Sequence, residues 1–292
     1  MAFFFGVPFR VACAAAAVAQ RRRPEVDDAF EELTEEEFRQ YFRLSKRTAR
    51  SLCDELDPII GCQRASGLSA ERKVLCALRF FATGSFQRSV GREEHVGMAQ
   101  SAVSSTIHEV TEAIISVVCT AELRILVVDP RFPGSCHDSW VWQHNPLRAR
   151  LATQLQPGEY LLGDSGYPLE PWLLVPVPGS HAGTTSEGHY NQEHASMRNV
   201  VERCIGVLKS KFRCLQRFRT LLYSPDRAAR IIYACVALHN IALDAGDWTL
   251  DDYGGEVPPP EEPEEPGDIQ VLAPRDVFLR GREQRSAVVN LF

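Results

Sequence analysis

Apolar residues recur at helical spacing through most of the first 115 positions of the chain. Thr34 and Glu37 form a capping box before a pair of phenylalanines, which predicts the start of an amphipathic helix. Ser45 and Ser69 each precede another apolar stripe with a period of three to four residues, so each predicts a further capped helix. The pattern in this part of the chain therefore predicts a helical domain.

The most regular helical pattern in this region begins near residue 99. It follows a short segment at 86–90 and a turn at 95–98, and this order is similar to a helix-turn-helix. In that interpretation four polar side chains face DNA: Gln100, Ser101, Ser104 and Ser105. The alternative is a plain helical bundle, because this helix lacks the Lys and Arg that phosphate contacts require.

The periodicity changes after residue 115. The run RILVV at 124–128 and the run YLL at 160–162 are short, apolar and bounded by turn residues, so both predict buried strands. Asp164 then stands at the carboxyl end of a strand, where ligands gather in open α/β sheets. A second aspartate, Asp138, lies in the turn sequence PGSCHDSWVW. Either aspartate alone also fits a purely structural turn.

A long amphipathic helix is predicted over residues 191–215. Its apolar face contains Val201, Cys204, Ile205, Leu208, Phe212 and Leu215. Glu202 lies at the edge of that face, beside a basic row that could bind a polyanion. This row consists of Arg198, Arg203, Lys209, Lys211 and Arg213. The alternative is an ordinary surface glutamate in a basic helix.

Charge is distributed unevenly along the 292 residues, although the net charge is only -6. Residues 198–230 contain nine Lys and Arg against two acids, whereas residues 246–268 contain nine acids and no base. This asymmetry favours a surface that faces nucleic acid, followed by an acidic tail. The tail at 246–292 is rich in proline and is expected to be mostly disordered, with a short helix or partner motif as an alternative near its end.

Cysteine usage and the N-terminus bear on the compartment. The nine cysteines are odd in number and include no CxxC pair, which indicates reduced thiols in an intracellular protein without a zinc module. The apolar stretch within residues 1–24 is interrupted by Pro8 and Arg10, so we expect a poorly ordered leader, neither a secretory signal nor a membrane span. We expect no membrane partner.

Together the three acids suggest one chemistry. Asp138, Asp164 and Glu202 combine two carboxylates from loops or strand ends with a third from a later helix. Carboxylate oxygens are the ligands that Mg²⁺ and Mn²⁺ prefer, and such ions can activate water against a phosphodiester. The predicted cofactor is therefore a divalent cation, Mg²⁺ or Mn²⁺.

Several strings resemble those of the PIF/Harbinger transposases, including their domesticated nuclease branch in animals. They are PGSCHDSWVW, YLLGDSGYP, VVERCIGVLKSKFRCL and ACVALHNIAL in the second half, and LSAERKVLCALRFFATGSFQ and AQSAVSSTIHEVTEAI in the first. The resemblance implies an α/β (α+β) chain: a helical, helix-turn-helix-like domain at 25–116, then a truncated RNase H-like DDE nuclease domain at 117–245. It assigns Asp164 and Glu202 as catalytic and metal-binding residues, with Asp138 as an additional acid of the site. It also implies DNA as substrate, a nuclear DNA-binding partner protein, and a location in the nucleus with the cytoplasm as a second site.

One part of that family's pattern is missing from this chain. The first aspartate, carried in a Gly-x-x-Asp-x-x-His string, is absent near residues 115–120, where roughly fifty to seventy residues are lacking by comparison with the family. Without that acid a hard cation loses ligands. Two hypotheses therefore stand: a divalent-metal-dependent DNA nuclease whose activity is weakened or lost in this chain, or a catalytically silent DNA- or protein-binding module.

Overall fold

A computed structural model describes residues 29–61, 67–118, 136–156, 158–216, 223–248 and 273–292, together with residues 125, 128–130 and 132. The described residues are mostly helical. The helices are α1 (Ala29–Glu32), α2 (Glu35–Phe42), α3 (Lys46–Ile60), α4 (Ala70–Thr83), α5 (Gln87–Val90), α6 (Gln100–Val118), α7 (Asp138–His144), α8 (Pro146–Gln154), α9 (Ser186–Lys211), α10 (Pro225–Asp244) and α11 (Arg275–Val289). Two short parallel strands, β1 (Leu161–Leu162) and β2 (Leu173–Leu174), pair with each other.

The predicted helix starts are confirmed. The backbone N–H of Glu37 donates to the Thr34 hydroxyl, and the backbone N–H of Thr34 donates to the Glu37 carboxylate, which completes the capping box of α2. The hydroxyl of Ser45 caps α3 and that of Ser69 caps α4. These side chains satisfy backbone donors that a helix start otherwise leaves without partners.

The large core joins the N-terminal helices to the end of the chain's longest helix. Phe38, Phe81 and Ile107 are fully buried in it, beside Phe212 after α9 and Leu238 of α10. Helix α6 packs extensively against α10 as well as against α4. The core formed by residues 29–118 therefore continues into the second half of the chain and does not end at residue 116.

A smaller core surrounds the two strands. Its buried residues are Leu169, Leu174 and Val175, and Phe278 and Val288 of α11 pack against them. Residues 273–292 therefore follow the alternative expectation of a short helix, not that of disorder, because an apolar stripe on α11 packs against this small core. The guanidinium of Arg285 also donates to the carbonyl oxygen of Pro176 at 3.0 Å. Residues 249–272 lie outside the described part.

Helix α9 connects the two cores, and here the predicted apolar face is confirmed at Leu208 and Phe212 but wrong at Val201 and Ile205. His194 is buried near its start and Leu208 near its end, but none of the residues 195–206 is buried. Val201 is 59% exposed and Ile205 is 43% exposed, although both were assigned to the buried face. The spacing identifies an apolar stripe correctly, yet its middle is only partly covered: Cys204 Sγ contacts His239 Nε2 of α10 at 3.5 Å, while Val201 and Ile205 stay exposed. The helix also begins earlier than predicted, at Ser186, and ends at Lys211.

The strand predicted at 160–162 is confirmed at Leu161–Leu162. Most of the strand predicted at 124–128, and the leader at 1–24, lie outside the described residues. No helix in the described part of the chain is both long and apolar enough to cross a membrane.

Candidate acidic site

Asp138 is the first residue of α7. The ring of His137 caps this helix, because its Nδ1 accepts from the backbone N–H of Ser139 at 3.3 Å. The cap of α7 is thus His137. This arrangement fixes the direction in which α7 leaves the preceding turn and so positions the Asp138 side chain.

Asp164 follows β1 directly. One of its carboxylate oxygens, Oδ1, accepts from the backbone N–H of Gly166 at 2.9 Å, which forms the aspartate turn that the DSGY sequence favours. The backbone N–H of Gly163 donates to Leu174 in β2, so the strand pairing fixes the residue before the acid. The other oxygen of Asp164 is left to contact groups across the site.

The two aspartates meet at Gly166. A Cβ atom placed on this glycine would lie 3.0 Å from Asp164 Oδ1 and 3.5 Å from Asp138 Oδ2, so these two oxygens are at most 6.5 Å apart. Burial raises the pKa of Asp138, and the charge of Asp164 raises it further. Burial, with these two carboxylates, also raises the pKa of Tyr167 to about 12. Two like charges held this close favour a cation between them.

Glu202 is linked to Asp164 through an arginine. Atom Nη2 of Arg198 lies 3.5 Å from Asp164 Oδ2 and 3.4 Å from Glu202 Oε1. The guanidinium thus lies between the two acids that the sequence analysis assigned to one metal site. Sequence reasoning placed Arg198 only in the phosphate-binding row, although its spacing of four residues from Glu202 on a helix indicates such a pair.

These positions allow only part of the expected metal site. Among the described residues no group of three or more His, Cys, Asp and Glu side chains is arranged to hold an ion. The hard oxygens of Asp138 and Asp164 fit a divalent cation by their chemistry and their proximity. Glu202 does not fit as a further ligand while Arg198 lies between it and Asp164.

Replacing Arg198 with alanine is expected to tighten Mn²⁺ binding. The change removes a competing cation and frees both Asp164 and Glu202. Because these side chains are about one third exposed, such pairs are weak, and we expect a gain of about two- to five-fold in affinity, measured by calorimetry. Lys209→Ala on the exposed side of the same helix is the matched control. Equal or weaker Mn²⁺ binding by Arg198→Ala would contradict this role.

His194 has a structural position behind the site. It is 3% exposed, and its Nε2 lies 3.4 Å from the carbonyl oxygen of Leu174 in β2. Burial lowers its pKa, so the ring is favoured in its neutral form. Its contact is with the sheet backbone, and it therefore anchors α9 to the small core.

The predicted nucleic-acid contacts fall in different environments. Lys209 and Arg213 are exposed, whereas Arg198, Arg203 and Lys211 are partly buried. On α6, Gln100 and Ser101 are exposed, but Ser104 is partly buried because Arg227 of α10 contacts it. The face of α6 that was predicted to meet DNA is therefore shared with α10.

Sequence reasoning missed the carboxylate that joins this site to its surroundings. Glu170 has a fully buried side chain that accepts from the indole N–H of Trp142 at 2.9 Å and from Arg148 at 2.9 and 2.7 Å. Trp142 follows Asp138 on α7, and Glu170 follows Asp164 in the loop to β2. The network thus ties together the two segments that carry the aspartates. An acid beside a proline and a tryptophan gives no periodic signal that could have identified it.

Residues 104–240, just under half of the chain, match the family described as DDE superfamily endonuclease. The chain is also homologous to proteins named "Putative nuclease HARBI1". The Mus musculus relative is 29% identical over 263 residues, covering 68% of this chain and 73% of the relative. The Homo sapiens relative is 27% identical over 267 residues, covering 68% and 75%.

A plant relative matches a shorter part of the chain. "Protein ALP1-like" of Arabidopsis thaliana is 31% identical over 153 residues, covering 47% of this chain and 37% of the relative. No solved structure matches the chain. The resemblance to Harbinger-type proteins is thereby confirmed.

The alignment lengths agree with the expected gap. Since 68% of the 292 residues is about 199, about 64 of the 263 positions aligned with the Mus musculus relative have no residue in this chain. This size matches the segment that the sequence analysis found missing. Its location near residues 115–120 and the loss of the first aspartate with it stay predictions.

Proposed function

We propose that this protein is a divalent-metal-dependent nuclease of transposase descent that acts on DNA phosphodiester bonds, with cleavage slowed in this chain by an incomplete acid set. The observation that carries the proposal is the meeting of Asp138 and Asp164 at Gly166, with Glu202 joined to Asp164 through Arg198. Residues far apart in the sequence are brought to one place, as hydrolysis at a metal site requires. In this proposal the nuclease domain is a truncated RNase H-like fold behind a helix-turn-helix-like domain.

Each side chain has a distinct role in this proposal. Asp138 and Asp164 would hold the cation, Mg²⁺ or Mn²⁺, which would lower the pKa of water and neutralise charge on a phosphate. Arg198 holds Asp164 and Glu202 in place before DNA arrives, and Glu202 becomes available as a further ligand when a DNA phosphate takes up the guanidinium. The exposed bases Lys209 and Arg213 bind the DNA backbone. We place the protein in the nucleus, with a DNA-binding partner protein.

A plasmid-nicking assay tests this proposal. The full chain is incubated with supercoiled DNA and Mn²⁺ or Mg²⁺, and we expect slow nicking that EDTA stops and that Glu202→Gln abolishes. Glu193→Gln is the matched control, because it makes the same change at an exposed glutamate of the same helix. The nuclease proposal fails if the wild-type chain shows no nicking with either metal, or if nicking survives in Glu202→Gln.

The second candidate is a silent DNA- or protein-binding module. It is favoured by the roughly 64 positions that lack a residue here and by the position of Arg198 between two of the acids. One plant relative is named antagonist of like heterochromatin protein 1, which fits a protein partner. This candidate predicts DNA binding that weakens steeply with salt and is unchanged by EDTA or Asp164→Asn. Binding that depends on metal would contradict it.

A further inference from the structure

A groove of about 640 Å³ runs between α6 and α10. Ser101, Ser104 and Ser105 of α6 line one side, and Asp226, Arg227 and Arg230 of α10 line the other. The groove therefore combines hydroxyl donors with two guanidinium groups and one carboxylate. It includes three of the four α6 residues that the sequence indicated for DNA contact.

Arg227 is held rigidly in this groove. Its Nη2 donates to the carbonyl oxygen of Ser104 at 3.0 Å, and its guanidinium lies 4.6 Å from the ring centroid of Tyr223. Its Nε is buried and has no hydrogen-bond partner. A guanidinium with fixed geometry loses little conformational freedom when it binds an anion, so it is well suited to meet a phosphate.

Arg230 is the more accessible of the two arginines. Its side chain is 50% exposed and forms an ion pair with the carboxylate of Glu112 on α6. Exposed pairs of this kind contribute little to stability, so a phosphate can replace the carboxylate as the partner of the guanidinium. Glu112 thus acts as an internal competitor for the ligand of this groove.

We propose that this groove is a binding site for backbone phosphates of DNA, in which α10 supplies the positive charges that α6 lacks. Helix α6 contains no Lys or Arg between Gln100 and Val118, which in the sequence argued against DNA contact. In the folded chain Arg227 and Arg230 lie beside the serine face of α6 and supply the cationic groups that α6 itself lacks. The inference rests on the proposed action on DNA, but it requires no cleavage.

Salt-dependent binding in EDTA tests the groove separately from the acidic site. The probe is a labelled DNA duplex, and its anisotropy is measured with the full chain between 50 and 200 mM salt. Arg230→Gln is expected to reduce the slope of log affinity against log salt by about 1, equally on two unrelated duplexes, because a phosphate contact carries no sequence information. Glu112→Gln is expected to raise affinity, since it releases Arg230.

Controls separate charge from folding. Arg282→Gln makes the same change on the exposed surface of α11 and is expected to leave the slope unchanged. Arg227→Lys keeps the charge but loses the planar fork, so it is expected to weaken binding while circular dichroism shows an intact fold. If the wild-type chain binds DNA and Arg230→Gln binds with the same slope and affinity, the groove proposal is overturned. If the wild-type chain binds no DNA in EDTA, the groove proposal fails, whereas the nuclease proposal is decided by the nicking assay with metal.

Discussion

Glu170→Ala is expected to lower the free energy of unfolding by about 3 kcal/mol, because it leaves a largely buried guanidinium and an indole N–H without their acceptor. The Glu170 side chain is fully buried, whereas the Arg148 side chain is 28% exposed, so water can partly solvate the Arg148 guanidinium once its acceptor is removed. The substitution also disconnects α7 and α8 from the loop before β2. Urea unfolding followed by circular dichroism measures the change.

Two comparisons make the Glu170 experiment specific. Glu170→Gln keeps an acceptor for the indole of Trp142 and is expected to lose less than Glu170→Ala. Glu193→Ala removes an exposed carboxylate and is expected to change stability by no more than about 0.5 kcal/mol. A loss below about 1 kcal/mol in Glu170→Ala would show that the network does not support the site.

Gly281→Leu is expected to detach α11 from the small core. A Cβ atom at this position would lie 3.0 Å from the Cα and carbonyl carbon of Glu170, and these backbone atoms cannot rotate away. The expected cost is about 1–3 kcal/mol for the overpacking alone, and more once Phe278 and Arg285 lose their contacts. Hydrogen exchange over residues 275–289 is expected to rise towards that of a free helix.

Substitutions at position 281 are informative because helix propensity and the steric clash have opposite effects on stability. Alanine is a better helix former than glycine by about 1 kcal/mol, so Gly281→Ala would stabilise an undocked helix. Destabilisation by Gly281→Ala therefore reports the close approach to Glu170. Ser286→Ala on the exposed side of α11 serves as the control. Unchanged exchange in Gly281→Leu would mean that α11 does not depend on this contact.

Local signals in the sequence predicted the helical half well. Thr34, Ser45 and Ser69 cap helices because a hydroxyl near free backbone donors needs no tertiary partner. The strand before Asp164 was likewise visible as a short apolar run that ends in a turn. These features depend on neighbours within a few residues, which the sequence shows directly.

The sequence predicted which acids form the candidate site, but it did not predict the residues that contact them. The sequence indicated Asp138, Asp164 and Glu202, and the structure brings the two aspartates together at Gly166. The position of Arg198 between Asp164 and Glu202 depends on how α9 crosses the end of β1, which no local pattern encodes. The same reason explains why the stripe on α9 was assigned to a core: periodicity shows which residues share a face and not whether anything covers that face.

Helix α9 is fixed at its two ends, so a small change of angle at one end shifts the residues in its middle. From His194, its anchor in the small core, to Glu202 is a rise of about 12 Å along the axis. A bend of about 10° at the anchor would therefore move the glutamate by about 2 Å, several times the tolerance of a catalytic geometry. Residues 195–206 include no fully buried side chain, and the contact of Cys204 with His239 at 3.5 Å gives them one point of support. The stiffness of the helical backbone and the pairing of Arg198 with both acids therefore largely set the distance between the acids.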